Sequence, residues 1–100
     1  MIVVERTGLF DNWFQKLKDR KAKAKIVNRI ERMEEGCFGV QRDLGDGVSE
    51  LKIDYGPGYR VYYCRWETVV YVLLCGGDKR TQERDIQQAK EMRKCLLKTK

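Results

Sequence analysis

One hundred residues with an apolar fraction of 42% set the chain up as one globular domain with a modest core, and argue against disorder. A formal charge of +6 and a pI near 9.3 favour a polyanionic or acidic partner, without choosing among RNA, DNA, a membrane surface and acidic protein. Histidine is absent, which excludes Ser-His and Cys-His nucleophiles and the usual neutral-pH acid–base group.

The first residues, MIVVERTGLF, have no basic segment ahead of an apolar core. No signal peptide is expected, and no apolar run nears the roughly 20 residues of a bilayer span. The expectation is a cytoplasmic protein without a membrane partner, with residues 1–100 forming a single domain. Ile2-Val3-Val4 reads as a short edge strand, and Thr7 as a helix N-cap. Leu9, Phe10, Trp13, Phe14 and Leu17 then recur at helical spacing. After a pause at Asp19 to Lys21, a second helix from about Ala22 to Glu35 turns Ile26, Val27, Ile30 and Met33 inward, and Gly36 ends it. The two helices form a hairpin whose apolar stripes lie on one face of a sheet. Their outer faces carry Lys16, Lys18, Arg20, Lys21, Lys23, Lys25, Arg29 and Arg32 with few acids between them. Such a run reads as a solvated helix face or as an electrostatic footprint for nucleic acid; its one-sided sign favours the footprint.

Cys37 to Gly47 is rich in glycine, and Gln41 to Leu44 reads as a strand start or a loop. Val48 to Tyr55 alternates, with Leu51, Ile53 and Tyr55 on one face and Glu50, Lys52 and Asp54 on the other. Gly56-Pro57-Gly58 reverses the chain. Tyr59 to Glu67 returns as a strand rich in Tyr, Val and Trp, and Val69 to Cys75 is an unbroken apolar run suited to a strand covered on both faces. With a loop from Tyr55 to Tyr59, Asp54 would pair with Arg60, Lys52 with Tyr62 and Glu50 with Cys64. Glu50, Lys52, Asp54, Arg60 and Tyr62 then share one face, expected to be open to solvent. Gly76-Gly77-Asp78 breaks the last strand. A final helix from about Thr81 to Leu97 follows, with Ile86, Ala89, Met92 or Arg93, and Leu96 as its inward stripe. The order is β-α-α-β-β-β-α, an α+β fold with a small antiparallel sheet. Cys37, Cys64, Cys75 and Cys95 lack CxxC spacing and read as reduced, mostly buried thiols, not a zinc site. No metal or cofactor is expected.

Three features in order carry a resemblance: FxxWxxxL (Phe10, Trp13, Leu17), VSELKIDYGPGYRVYY, and LLCGGDKRTQ followed by a helix near Asp85-Ile86. From about Phe10 to Ala89 the chain resembles the "addiction module killer" proteins, the HigB-like branch of the RelE/ParE toxin superfamily. The resemblance implies a type II toxin bound by a cognate antitoxin, encoded adjacently. RelE-type members cleave mRNA on the ribosome; ParE-type members share the fold but poison DNA gyrase; a third reading is a plain module whose basic surface binds an acidic antitoxin and nothing else. Metal-free RNA cleavage needs a base for the ribose 2′-hydroxyl, cations at the phosphate and an acid for the leaving oxygen. By this resemblance Arg60 stabilises the phosphate, with Lys52 beside it as base. Lys79 and Arg80 stabilise or protonate the leaving group, and Tyr62 stacks on a base or orients the phosphate. This chain departs from the pattern in two respects. Gln82 to Ile86 contain no tyrosine, and the histidines of some HigB proteins are missing. A plainer reading of the same strands is that their charges are cross-strand ion pairs that keep a sheet face soluble.

Overall fold

A five-stranded sheet in the order β1-β5-β4-β3-β2 runs through the middle of the molecule, with helices on both sides. The computed structural model describes residues 2–98. β1 (Val3–Arg6) is an edge strand parallel to β5 (Val70–Gly77). β4 (Tyr59–Glu67) lies between β5 and β3 (Val48–Ile53), antiparallel to both, and β2 (Gln41–Asp43) adds the far edge. The fold is α+β, as the element order implies.

α1 (Gly8–Lys16) begins where the Thr7 hydroxyl accepts a hydrogen bond from the Phe10 amide at 3.1 Å. The same hydroxyl donates to the Leu74 carbonyl at 2.6 Å, which ties the helix start to β5. Asp19 caps α2 (Arg20–Glu34) by accepting from the Lys21 and Ala22 amides. Gly36, at φ +90°, closes that helix with its amide donating to Met33 O. Phe10, Ile26, Ile30 and Met33 face Leu51, Val61, Tyr63 and Leu73 in a first core. Each such fully buried side chain contributes about 2 kcal/mol by leaving water.

A second core lies on the other face of the sheet. α3 (Gln82–Lys98), preceded by a 3-10 turn at Lys79–Thr81, sets Ile86, Ala89, Met92 and Leu96 against Val48, Tyr62, Cys64, Val72 and Leu74. A bulge in the β4–β5 ladder lets both Leu74 and Cys75 reach this core. Gly76 and Gly77 are the last two residues of β5, so the strand ends where Gly76-Gly77-Asp78 was read to break it, two residues beyond the apolar run that closes at Cys75. They face opposite ways. A Cβ on Gly76 would come within 2.3 Å of the Trp13 ring, and one on Gly77 within 1.8 Å of Asp85 Oδ2. Two helices therefore rest on bare backbone at this end of β5. The cysteines divide evenly, with Cys64 and Cys75 buried and Cys37 and Cys95 exposed, so "mostly buried" holds for only half of them. No helix among the described residues is long and apolar enough to cross a membrane.

Candidate functional site

The GPG turn fixes the register of β3 against β4. Tyr55 N donates to Ile53 O and Gly58 N to Tyr55 O, while Gly56 and Gly58 both take positive φ. Gly58 is thus the last loop residue, and Tyr59 enters the strand to bury its ring near Trp13. The pairs are Lys52 with Arg60, Glu50 with Tyr62 and Val48 with Cys64. This is a two-residue slip from the expected register. Facing is unchanged, because a slip of two keeps every side chain on its side, and Lys52 now lies directly opposite Arg60.

The expectation of an open face is corrected. α3 covers it, because Val48, Tyr62 and Cys64 make its inner part apolar and the stripe of α3 fits there. Tyr62 is fully buried, so its ring is not available for stacking on a base. Its hydroxyl has no hydrogen-bond partner among the described residues. Burial, and then the nearby Glu50 and Asp85 carboxylates, push its pKa far above the ordinary tyrosine range. Arg60 is also buried, at 6% exposure, and Glu50 at 4%. Lys52, beyond the reach of α3, remains exposed.

At this boundary a cleft of about 420 Å³ is lined by Val40, Gln41, Arg42, Glu50, Lys52, Arg60 and Gln82. Arg60 donates from Nη1 to Gly58 O at 2.6 Å, and its Nε lies 3.7 Å from Glu50 Oε2. The same carboxylate accepts from Gln82 Nε2 at 3.0 Å and sits 3.7 Å from Arg42 Nη2. Cross-strand pairing of charges does occur, but its partners are Glu50, Arg60 and Arg42, not Asp54 with Arg60 or Glu50 with Lys52. Arg42 and Gln82 were not singled out from sequence. The only hint of them is that a buried acid needs donors, and their approach depends on β2 and α3 meeting over β3.

Lys79 is exposed beside the cleft, with its amide 3.4 Å from Pro57 O. A Cβ on Gly58 would touch both Arg60 Nη1, at 3.1 Å, and Lys79 Cβ, at 3.8 Å, so the chain threads glycine between the two cations. Arg80 turns away and pairs with Asp78 at 3.3 Å. Burial alone would raise the Asp78 pKa, but hydrogen bonds from Arg80 outweigh it and hold the carboxyl below its usual range. Lys79 to Arg84 line a neighbouring cleft of about 500 Å³. Among the described residues, no group of three or more Cys, Asp and Glu gathers as a metal site.

The basic helical residues lie on the opposite side of the sheet from this cleft. Lys16, Lys18, Arg20, Lys21 and Lys25 are exposed there. Lys25 lies over the Tyr55 ring, and Lys23 over Phe14 while donating to Gln15 O. Arg29 differs from the rest. It donates to the carbonyls of Lys52, Phe38 and Val40, binding the loop before β2 to the end of β3. Burial, then the charge of Arg32, lowers its pKa.

Residues 12–94 match the family described as "Phage derived protein Gp49-like (DUF891)". A Haemophilus influenzae protein, itself described as uncharacterized, is 52% identical over 89 residues, covering 89% of this chain and 90% of its own length.

Proposed function

Because the chain belongs to the Gp49-like phage-derived family, a RelE/HigB-like family of toxins with antitoxin partners, we propose that it is a ribosome-dependent mRNA endonuclease. The observation that carries this reading is Lys52 paired side by side with Arg60 in the wall of a cleft at the sheet end. Arg60 binds the scissile phosphate through Nη2, the guanidinium nitrogen that neither Gly58 O nor Glu50 occupies, as a charge-assisted hydrogen bond. Lys52 takes the proton of the attacking 2′-hydroxyl as that oxygen bonds to phosphorus, and Lys79 gives a proton to the 5′-oxygen as its bond to phosphorus breaks. Arg80 contributes charge at the rim, and the exposed lysines and Arg20 on the far face hold ribosomal RNA. Tyr62 takes no direct part, because it is enclosed.

Purified protein added to programmed ribosomes, with mRNA ends mapped by primer extension, tests the reading. The expected result is a cut in the A-site codon that Lys52→Ala lowers on the order of 10²-fold or more. No cut, or an undiminished one, overturns it.

The burial of Tyr62 removes one candidate group and favours, as a second reading, a gyrase poison of ParE type. A supercoiling assay with purified gyrase decides that reading, and unaffected gyrase at excess protein rules it out. Under either reading the partner is an adjacently encoded antitoxin presenting an acidic or amphipathic segment to a basic surface.

A further inference from the structure

We infer that Glu50 is a positioning residue that holds Arg60 ready for a phosphate, with Gln82 of α3 and Arg42 of β2 holding Glu50 in turn. The inference rests on the endonuclease reading above. Arg60 is a buried cation fastened at two of its three guanidinium nitrogens. Nη1 donates to Gly58 O at 2.6 Å, and Nε stands 3.7 Å from Glu50 Oε2. That leaves Nη2 for an incoming phosphate oxygen.

The Nε contact is an ion pair without a hydrogen bond. Nε is buried and has no acceptor among the described residues. An unmet buried donor costs about 1–3 kcal/mol in a folded protein, so the charge of Glu50 beside it is what holds Nε in this place. Gly58 allows the arrangement, since a Cβ there would press on Nη1 at 3.1 Å.

Glu50 is itself held from both sides. Gln82 Nε2 donates to Oε2 at 3.0 Å, and Arg42 approaches Oε1 at 3.7 Å. Without this carboxylate the cleft would hold Arg42, Lys52 and Arg60 with no anion among them, and the buried guanidinium would be driven toward water. With it, Arg60 stays oriented in the absence of RNA. Arg42, 59% exposed at its side chain, is free to leave Oε1 for a phosphate without unburying anything. Three elements meet at one carboxylate, so the first residue of α3 helps set the aim of a β4 side chain.

The test follows the Arg60 Nε–H signal in nitrogen-15 NMR of the full chain, assigned by its loss in Arg60→Lys. In the wild type it should exchange slowly with water and shift as inorganic phosphate is added. In Glu50→Gln, which keeps the side-chain volume and an oxygen for Gln82 but removes the charge, exchange should quicken at least tenfold and the phosphate shift should shrink. Glu50→Asp should restore part of both. On the ribosome, Glu50→Gln should lower kcat on the order of 10²-fold with little change in KM, as expected for a misplaced group. Unchanged exchange together with unchanged cleavage overturns the inference. If the wild type cuts no mRNA, the endonuclease reading falls, and the exchange measurement alone decides whether Glu50 positions Arg60. If Glu50→Gln does not fold, Gln82→Ala takes its place with the same expected direction, and an unmoved Arg60 signal there is equally decisive.

Discussion

Lys52 and Arg60 stand opposite one another across β3 and β4, yet one is open to solvent and the other is 6% exposed. Their substitutions should therefore behave differently. Lys52→Ala should change stability by less than about 0.5 kcal/mol, as surface substitutions usually do, while lowering A-site cleavage on the order of 10²-fold or more. Arg60→Ala should abolish cleavage and also cost about 3 kcal/mol, because it strands Glu50 as a buried, half-paired carboxylate. Urea unfolding beside the ribosome assay separates the two.

Tyr62→Phe should leave cleavage intact and either preserve stability or raise it by about 1 kcal/mol, since the hydroxyl removed is buried and unmet. The same substitution makes a pH prediction. The folded pKa of Tyr62 lies above its unfolded value, so the stability it contributes is fully present below about pH 10 and is lost as pH rises toward the folded pKa. Urea midpoints measured from pH 9 upward should fall more steeply for the wild type than for Tyr62→Phe. Parallel curves would refute the shift.

Gly77→Ala should destabilise by about 1–3 kcal/mol, the usual penalty of overpacking, because its Cβ would land 1.8 Å from Asp85 Oδ2. Asp85→Ala, made in the same chain, should recover part of that loss. It should recover none of the loss from Gly76→Ala, whose obstacle is the Trp13 ring on the other face. Melting curves of the wild type, the three single variants and the two doubles with Asp85→Ala complete both cycles.

Arg29 should part company with its basic neighbours. Arg29→Ala removes a donor shared by three carbonyls, of which Val40 O keeps the Lys52 amide, and should cost about 2–3 kcal/mol, the range for hydrogen bonds to a charged group. Lys16, Lys18 and Lys21 changed singly to Ala should each stay within about 0.5 kcal/mol while weakening ribosome binding and flattening its salt dependence.

Much of the fold was legible because it rests on short-range signals. The Thr7 cap, the Phe10 to Leu17 spacing, the GPG reversal and the alternation of β3 all appear where periodicity places them. The covered face was misjudged from charges confined to one end. Glu50, Lys52 and Arg60 are polar, but Val48, Tyr62 and Cys64 on the same side are a core surface. Two local facts pointed the other way: the apolar run of β5 asked for cover on both faces, and the stripe of α3 needed somewhere to go. Glu50 was harder still. Its burial depends on Gln82, thirty-two positions along the chain, arriving over β3 at the start of a helix. The purpose of Arg29 was hidden for a related reason, since helical spacing shows where its Cα sits but not which distant carbonyls come within reach.

The molecule is a slab, 22 Å through its shortest axis, with lysines on one broad side and the cleft beside Lys52 and Arg60 on the other. A single RNA strand cannot lie along both without bending round the β2 border. A fissure walled by RNA on two sides can grip both at once, and damage to either wall contact should then subtract independently of the other.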